Sequence, residues 1–101
     1  MKRPSITPGD WHIGKRAGAE YGAIYGAKGE EIALPLGFFM EDSEAKANTK
    51  VIAAVPDLLA ALEALVRESG RSMDDLDSDV SSHHPLIAAY EALTKAGYEF
   101  P

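Results

Sequence analysis

The chain has 101 residues, no cysteine and a formal net charge of -6. Two domains of ~50 residues would each bury too little surface, so the length fits one. Zero cysteine excludes a disulfide scaffold and thiolate metal sites, and no apolar run reaches the ~18–20 residues that cross a bilayer. Hydrophobic residues make up 46% and charged residues 26%, a globular composition rather than a disordered one. Met1-Lys2-Arg3-Pro4 has no apolar stretch behind it and does not read as a secretory signal, so the expected compartment is the cytoplasm.

Residues 1–8 hold two prolines and no periodic pattern and read as an arm. Thr7-Pro8-Gly9-Asp10 is turn chemistry, and Trp11–Lys15 reads as a short strand. From Gly18 to Gly26 the glycines recur every four residues. Read as a strand, this run puts Gly18, Gly22 and Gly26 on one face with Ile24, and Tyr21, Ala23 and Tyr25 on the other. A helix would carry a penalty of about 1 kcal/mol per glycine. Lys28-Gly29-Glu30 reads as a hairpin turn. Ile32, Leu34, Leu36 and Phe38 then alternate as a third strand, placed at an edge or interrupted by Pro35. Residues 10–39 are thus expected to form a β meander.

The period changes over residues 42–69. Asp42 and Ser43 are good N-cap residues. Val51, Val55, Leu58, Leu62 and Leu65 form an apolar stripe, with Ile52, Leu59 and Val66 beside it. Pro56 interrupts the stripe, which predicts a break at Ala53–Val55 and a second helix opening at Pro56-Asp57. Gly70 fits a helix stop. Residues 70–84 are polar and read as an acidic loop. Residues 85–97 read as a C-terminal helix carrying Leu86, Tyr90 and Leu93 and stopped by Gly97; Tyr98 and Phe100 are placed to fold back on the core. The fold class is α+β: a small three-stranded antiparallel sheet packed against a Pro-kinked helical segment and a C-terminal helix, in one domain spanning 1–101.

Charge is uneven. Residues 1–40 carry five basic against four acidic side chains, a net of +1, and residues 41–101 carry five against twelve, a net of -7. This disfavours direct nucleic-acid binding and favours a basic protein surface as partner. Asp75, Asp77 and Asp79 match the first ligands of a calcium loop, but Val80 and Leu86 stand where glycine and a bidentate glutamate are needed. His83 and His84 are adjacent rather than four apart. No nucleophile motif and no phosphate loop is present, and His12 with Asp10 makes an acid–base pair only if folding joins them. The residues therefore point to a non-enzymatic protein with no cofactor and no metal. The candidate partner-binding residues are Asp74, Asp75, Asp77, Asp79, Tyr21, Tyr25, Glu41, Asp42 and Glu44, because carboxylates attract a basic surface and tyrosines supply contact area. An alternative is a self-associating scaffold, a homodimer formed by the alanine-rich helix or the glycine strand.

Two stretches carry a resemblance. Thr7-Pro8-Gly9-Asp10-Trp11, followed by Ala45-Lys46-Ala47-Asn48-Thr49-Lys50-Val51-Ile52-Ala53-Ala54-Val55-Pro56-Asp57-Leu58-Leu59-Ala60-Ala61-Leu62, resembles a group of small phage and prophage proteins over about residues 5–66. The sequence departs from that pattern at Thr49 and Val55, where alanine is usual. The resemblance implies a phage origin and carries no catalytic residues. By analogy with anti-CRISPR proteins, it implies an accessory protein that inhibits a host defence factor by occupying it, inside the host cell.

Overall fold

Glycine conformation sets where the strands begin. Gly18 and Gly22 have φ of +79° and +82°, a region open to glycine and strained for other residues. The Ala19 N–H donates to the Arg16 carbonyl (3.1 Å) and the Gly22 N–H to the Ala19 carbonyl (3.2 Å). The glycine–tyrosine run is therefore a chain of turns as far as Gly22, and only Ala23–Tyr25 is strand. This corrects the long strand expected there: alternation needs extended backbone at every residue, and a left-handed glycine ends it. The computed structural model describes residues 1–37, 40–70 and 85–100, so the acidic stretch Asp74–Asp79, the pair His83 and His84, and the aromatic residues Phe38 and Phe39 lie outside the described residues.

The chain divides into two compact units, Thr7–Leu58 on one hand and Met1–Ile6 with Leu59–Pro101 on the other. In the first, strands β1 (His12–Gly14), β2 (Ala23–Tyr25) and β3 (Glu31–Ala33) form an antiparallel sheet in the order β1-β2-β3. The β2–β3 turn is closed by the Gly29 N–H on the Gly26 carbonyl (3.0 Å) and by the Gly26 N–H on the Glu30 carbonyl (2.8 Å). The register shifts between Ile24, opposite Ala33, and Tyr25, opposite Glu31, so β3 carries one extra residue as a bulge. The third strand ends at Ala33, two residues before Pro35, shorter than the alternation through Phe38 predicts. Proline has no N–H to give a ladder.

Helix α1 (Asp42–Ala53) lies against β1 and β2. Its inner face is built from small residues: Ala45 and Thr49, one turn apart, are each only 2% exposed. The Thr49 hydroxyl satisfies itself by donating to the Ala45 carbonyl (2.8 Å). The helix ends at Ala54, whose N–H donates to the carbonyls of Lys50 and Val51, both at 3.1 Å. Helix α2 (Val55–Glu68) follows at once. The break falls where Pro56 requires it, because a continuous helix would leave one carbonyl without a donor and press the proline ring against it.

The second unit takes α2 from Leu59 onward, α3 (Pro85–Lys95) and the two chain ends. Val66, Tyr90, Leu93 and Tyr98 form its core, with Leu59, Leu62, Leu86, Ile87, Ala89 and Phe100 packed around them. The Phe100 ring meets Tyr90 edge-on at 4.8 Å and stacks on Tyr98 at 6.3 Å. Helix α3 stops in a paired cap. The Gly97 N–H donates to the Thr94 carbonyl and the Tyr98 N–H to the Leu93 carbonyl, both at 3.0 Å, with Gly97 at φ +103°; this is the Schellman arrangement.

One expectation is rotated. The predicted stripe of Val51, Leu58 and Leu65 is 59%, 56% and 66% exposed, and the buried side of α2 runs through Leu59, Leu62 and Val66. Of these, Leu59 and Val66 stood beside the predicted stripe and not on it. The difference of one residue is a turn of about 100° on a helix, enough to exchange the inner face for the outer one. Among the described residues, three antiparallel strands and three helices make the fold α+β.

Candidate functional site

Tyr21 and the start of α1 make the first site. Its turn position, fixed by Gly18 and Gly22, carries the Tyr21 hydroxyl to Asp42 Oδ1, to which it donates at 2.6 Å. The half-buried ring lies so close to Gly37 that a Cβ at that glycine would stand 2.5 Å from it. Glu41, Asp42 and Glu44 are all exposed around the first turn of α1, where carboxylates suit the positive end of the helix dipole. Glu41 occupies the N-cap position and makes no side-chain cap bond. The predicted capping role of Asp42 is thus not what the structure shows: its carboxylate serves Tyr21.

The Tyr21 phenol is pushed up to about 12. The hydrogen bond to Asp42 is the main cause, followed by partial burial and by the negative charges of Asp42 and Glu20. At neutral pH the phenol is protonated and donates to Asp42. The site thus joins the Tyr21 hydroxyl to the Asp42 carboxylate on a turn where Glu41 and Glu44 are also exposed. Open hollows flank Tyr21. One of about 640 Å³ is lined by Ile13, Lys15, Arg16 and Gly22 among others. Another of about 200 Å³ lies between Glu20 and Leu36.

Tyr25 is placed elsewhere. It sits on β2 opposite His12, with the two rings 6.0 Å apart, and it covers Gly14, where a Cβ would stand 2.8 Å from its ring. The strand face expected to align Tyr21 with Tyr25 does not exist, because Gly22 breaks the alternation between them. Next to this pairing, Arg16 bridges to Glu31 at 3.2 Å.

A second polar cluster joins residues far apart in the sequence. Glu63 on α2 is 6% exposed. The Arg3 Nε donates to both of its oxygens, at 2.7 and 2.9 Å, and Arg3 Nη2 also pairs with Oε1. The Tyr98 hydroxyl donates to Oε2 at 3.0 Å, and Arg67, one turn along, lies 3.4 Å from Oε1. The Arg3 hydrogen bond is the largest cause holding the Glu63 carboxyl below its ordinary range, with Tyr98 and the charges of Arg3 and Arg67 acting in the same direction and burial opposing them. The Tyr98 phenol is raised, first by burial and then by Glu63, and Arg3 is raised by Glu63. The signal was present: Glu63 stands four residues after Leu59 and three before Val66, on the buried stripe, where a charge requires a partner.

Among the described residues no group of three or more His, Asp or Glu is arranged to hold a metal ion, and no helix is long and apolar enough to cross a membrane. A family model described as Salmonella phage P22 protein Y8K6 matches residues 1–99. The chain belongs to this family. The match extends past both ends of the 5–66 resemblance, so the arm with Arg3, the helix with Glu63 and the C-terminal segment with Tyr98 all lie inside it. Searches of curated proteins and of solved structures give no match. The phage character expected from the sequence is thereby established.

Proposed function

We propose that this phage protein is a non-enzymatic accessory factor that inhibits a host defence protein by binding it, in the manner of an anti-CRISPR protein. Its partner would present a basic surface such as one that handles nucleic acid, in the cytoplasm of the infected cell. The observation that carries this reading is the Tyr21–Asp42 hydrogen bond, which ties an aromatic residue to an exposed acidic turn. Aromatic contact area next to exposed carboxylates is what a surface needs to bind a cationic channel. Tyr25 supplies further aromatic area, and Asp74, Asp75, Asp77 and Asp79 add four carboxylates to the same charge excess by sequence.

The test is plaque counting on a bacterial host whose RNA-guided defence restricts a phage. The wild-type chain, expressed in that host, should restore plating. Reversal of Glu41, Asp42 and Glu44 to lysine should abolish the rescue, in protein that circular dichroism shows to be folded despite the unfavourable charges at the start of α1. Restriction that persists with wild-type protein present would overturn the inhibitory role. Rescue that survives the triple reversal would overturn the surface assigned to it.

A further inference from the structure

The arm's apolar residues are only partly covered, with Met1 46% exposed and Ile6 40%, so hydrophobic burial supplies part of its closure and not all of it. Backbone, packing and ionic contacts attach it to the rest of its unit. Lys2 and Glu99 form an isolated antiparallel bridge, Lys2 N–H to the Glu99 carbonyl at 2.7 Å and Glu99 N–H to the Lys2 carbonyl at 2.9 Å. Pro4 rests against Gly97, where a Cβ would stand 3.2 Å from it. Arg3 grips Glu63 through Nε and Nη2. Two backbone bonds at a chain end are an edge prone to fraying, and the Arg3–Glu63 grip is the contact that ties the arm to a buried side chain.

We infer that Met1–Ile6 is a strap latched by the Glu63 carboxylate, which opens as a unit, ahead of the unfolding of its helices, when that carboxylate loses its charge. A neutral Glu63 keeps a hydrogen-bonding site for Tyr98 but no longer attracts the guanidinium, and Arg3, whose side chain is 60% exposed, returns to water at little cost. The groups facing Glu63 are Arg3 from the arm, Tyr98 from the C-terminal segment and Arg67 from its own helix; among the described residues, Lys2 and Glu99 form the one other charged pair on the strap, at 3.9 Å. The carboxyl is held below its ordinary 4.5. Closure is therefore fully supported above that ordinary value and is lost as pH falls through the depressed one. Opening frees the N–H and carbonyl of Glu99, a short backbone edge next to Phe100.

Amide hydrogen exchange on the full chain, followed by NMR from pH 7 down to pH 2 and corrected for intrinsic rates, reads this directly; protection of Lys2 and Glu99 that persists throughout would overturn the latch. The Lys2 and Glu99 amides should lose protection tenfold or more in a step set by Glu63, while the Gly97 and Tyr98 amides of the α3 cap keep theirs. In Glu63→Gln the two strap amides should be unprotected already at pH 7, with no further step. Arg3→Gln, a change at an exposed side chain, should do the same and keeps the test open should the Glu63→Gln variant fail to fold. Glu99→Gln should leave the step in place. Loss of Lys2 and Glu99 protection in parallel with Tyr98, a step that survives Arg3→Gln, or one that vanishes in Glu99→Gln would each overturn the latch.

Discussion

Tyr21 and Tyr98 each donate to a carboxylate, and the two pairs are built in opposite surroundings. Tyr21 reaches Asp42 at 2.6 Å on an exposed turn, and Tyr98 reaches Glu63 at 3.0 Å in the interior of its unit. The shorter bond is the weaker support. When an exposed pair is broken, water replaces the missing partner at little loss. When a buried pair is broken, the remaining oxygen stays dry and unsatisfied, which costs more than the bond contributed. The surroundings of the two carboxylates differ in the same way: Glu63 holds two guanidinium groups and a phenol, whereas Asp42 holds one phenol and keeps its charge available outside. The same pairing of a phenol with a carboxylate thus lies inside one unit as a fastening and on the exposed surface of the other.

The largest effect expected comes from removing the floor under the buried pair. Leu93 is fully buried, and its carbonyl receives the Tyr98 N–H. Leu93→Ala should cost about 2–5 kcal/mol, measured by urea denaturation. A loss below ~1 kcal/mol would mean that the unit closes over the cavity and that Leu93 does not set the burial of Tyr98. Next in size is Tyr98→Phe, which keeps the ring stack on Phe100 and removes one donor from Glu63; the expected loss is roughly 1.5–3 kcal/mol for a hydrogen bond to a charged group. Tyr21→Phe, run beside it, should leave the denaturation midpoint unchanged within error. Equal losses for the two substitutions would break the comparison.

Local chemistry made some of this legible and long-range pairing hid the rest. Pro56 announced the division between α1 and α2, and Gly97 announced the end of α3, because each acts within one helical turn. The glycine run misled because a spacing of four is compatible with a strand face, and only φ distinguishes a strand glycine from a turn glycine; Gly18 and Gly22 are the latter. The inner face of α2 lies one position away from the predicted stripe because its apolar residues spread so widely around the helix. Leu58, Leu59, Leu62, Leu65 and Val66 do not choose an inner face by themselves. Glu63 would have chosen it, had a buried charge been admitted, but its partners Arg3 and Tyr98 lie 60 and 35 residues away. The pairing of Asp42 is hidden for the same reason, since its partner is 21 residues upstream.

The smallest effect on stability carries the most information about the surface. The Tyr21 phenol is raised from an ordinary 10.0 to about 12, with Asp42 the leading cause. An alkaline NMR titration should find this ring still protonated at about pH 11, and Asp42→Asn should return its ionisation toward the ordinary value, leaving only the smaller share due to burial and Glu20. Because the folded value lies above the unfolded one, the contribution is fully present below about pH 10 and is lost as pH rises through about 12. A Tyr21 titration unchanged by Asp42→Asn would show that the carboxylate is not what holds the proton. The same variant separates two roles for the patch: it removes one negative charge and keeps the ring. If charge brings the partner in, binding by Asp42→Asn should be weaker than wild type at low salt and should converge on it as salt screens the remaining carboxylates. If the ring alone matters, the two proteins should bind alike at every salt concentration.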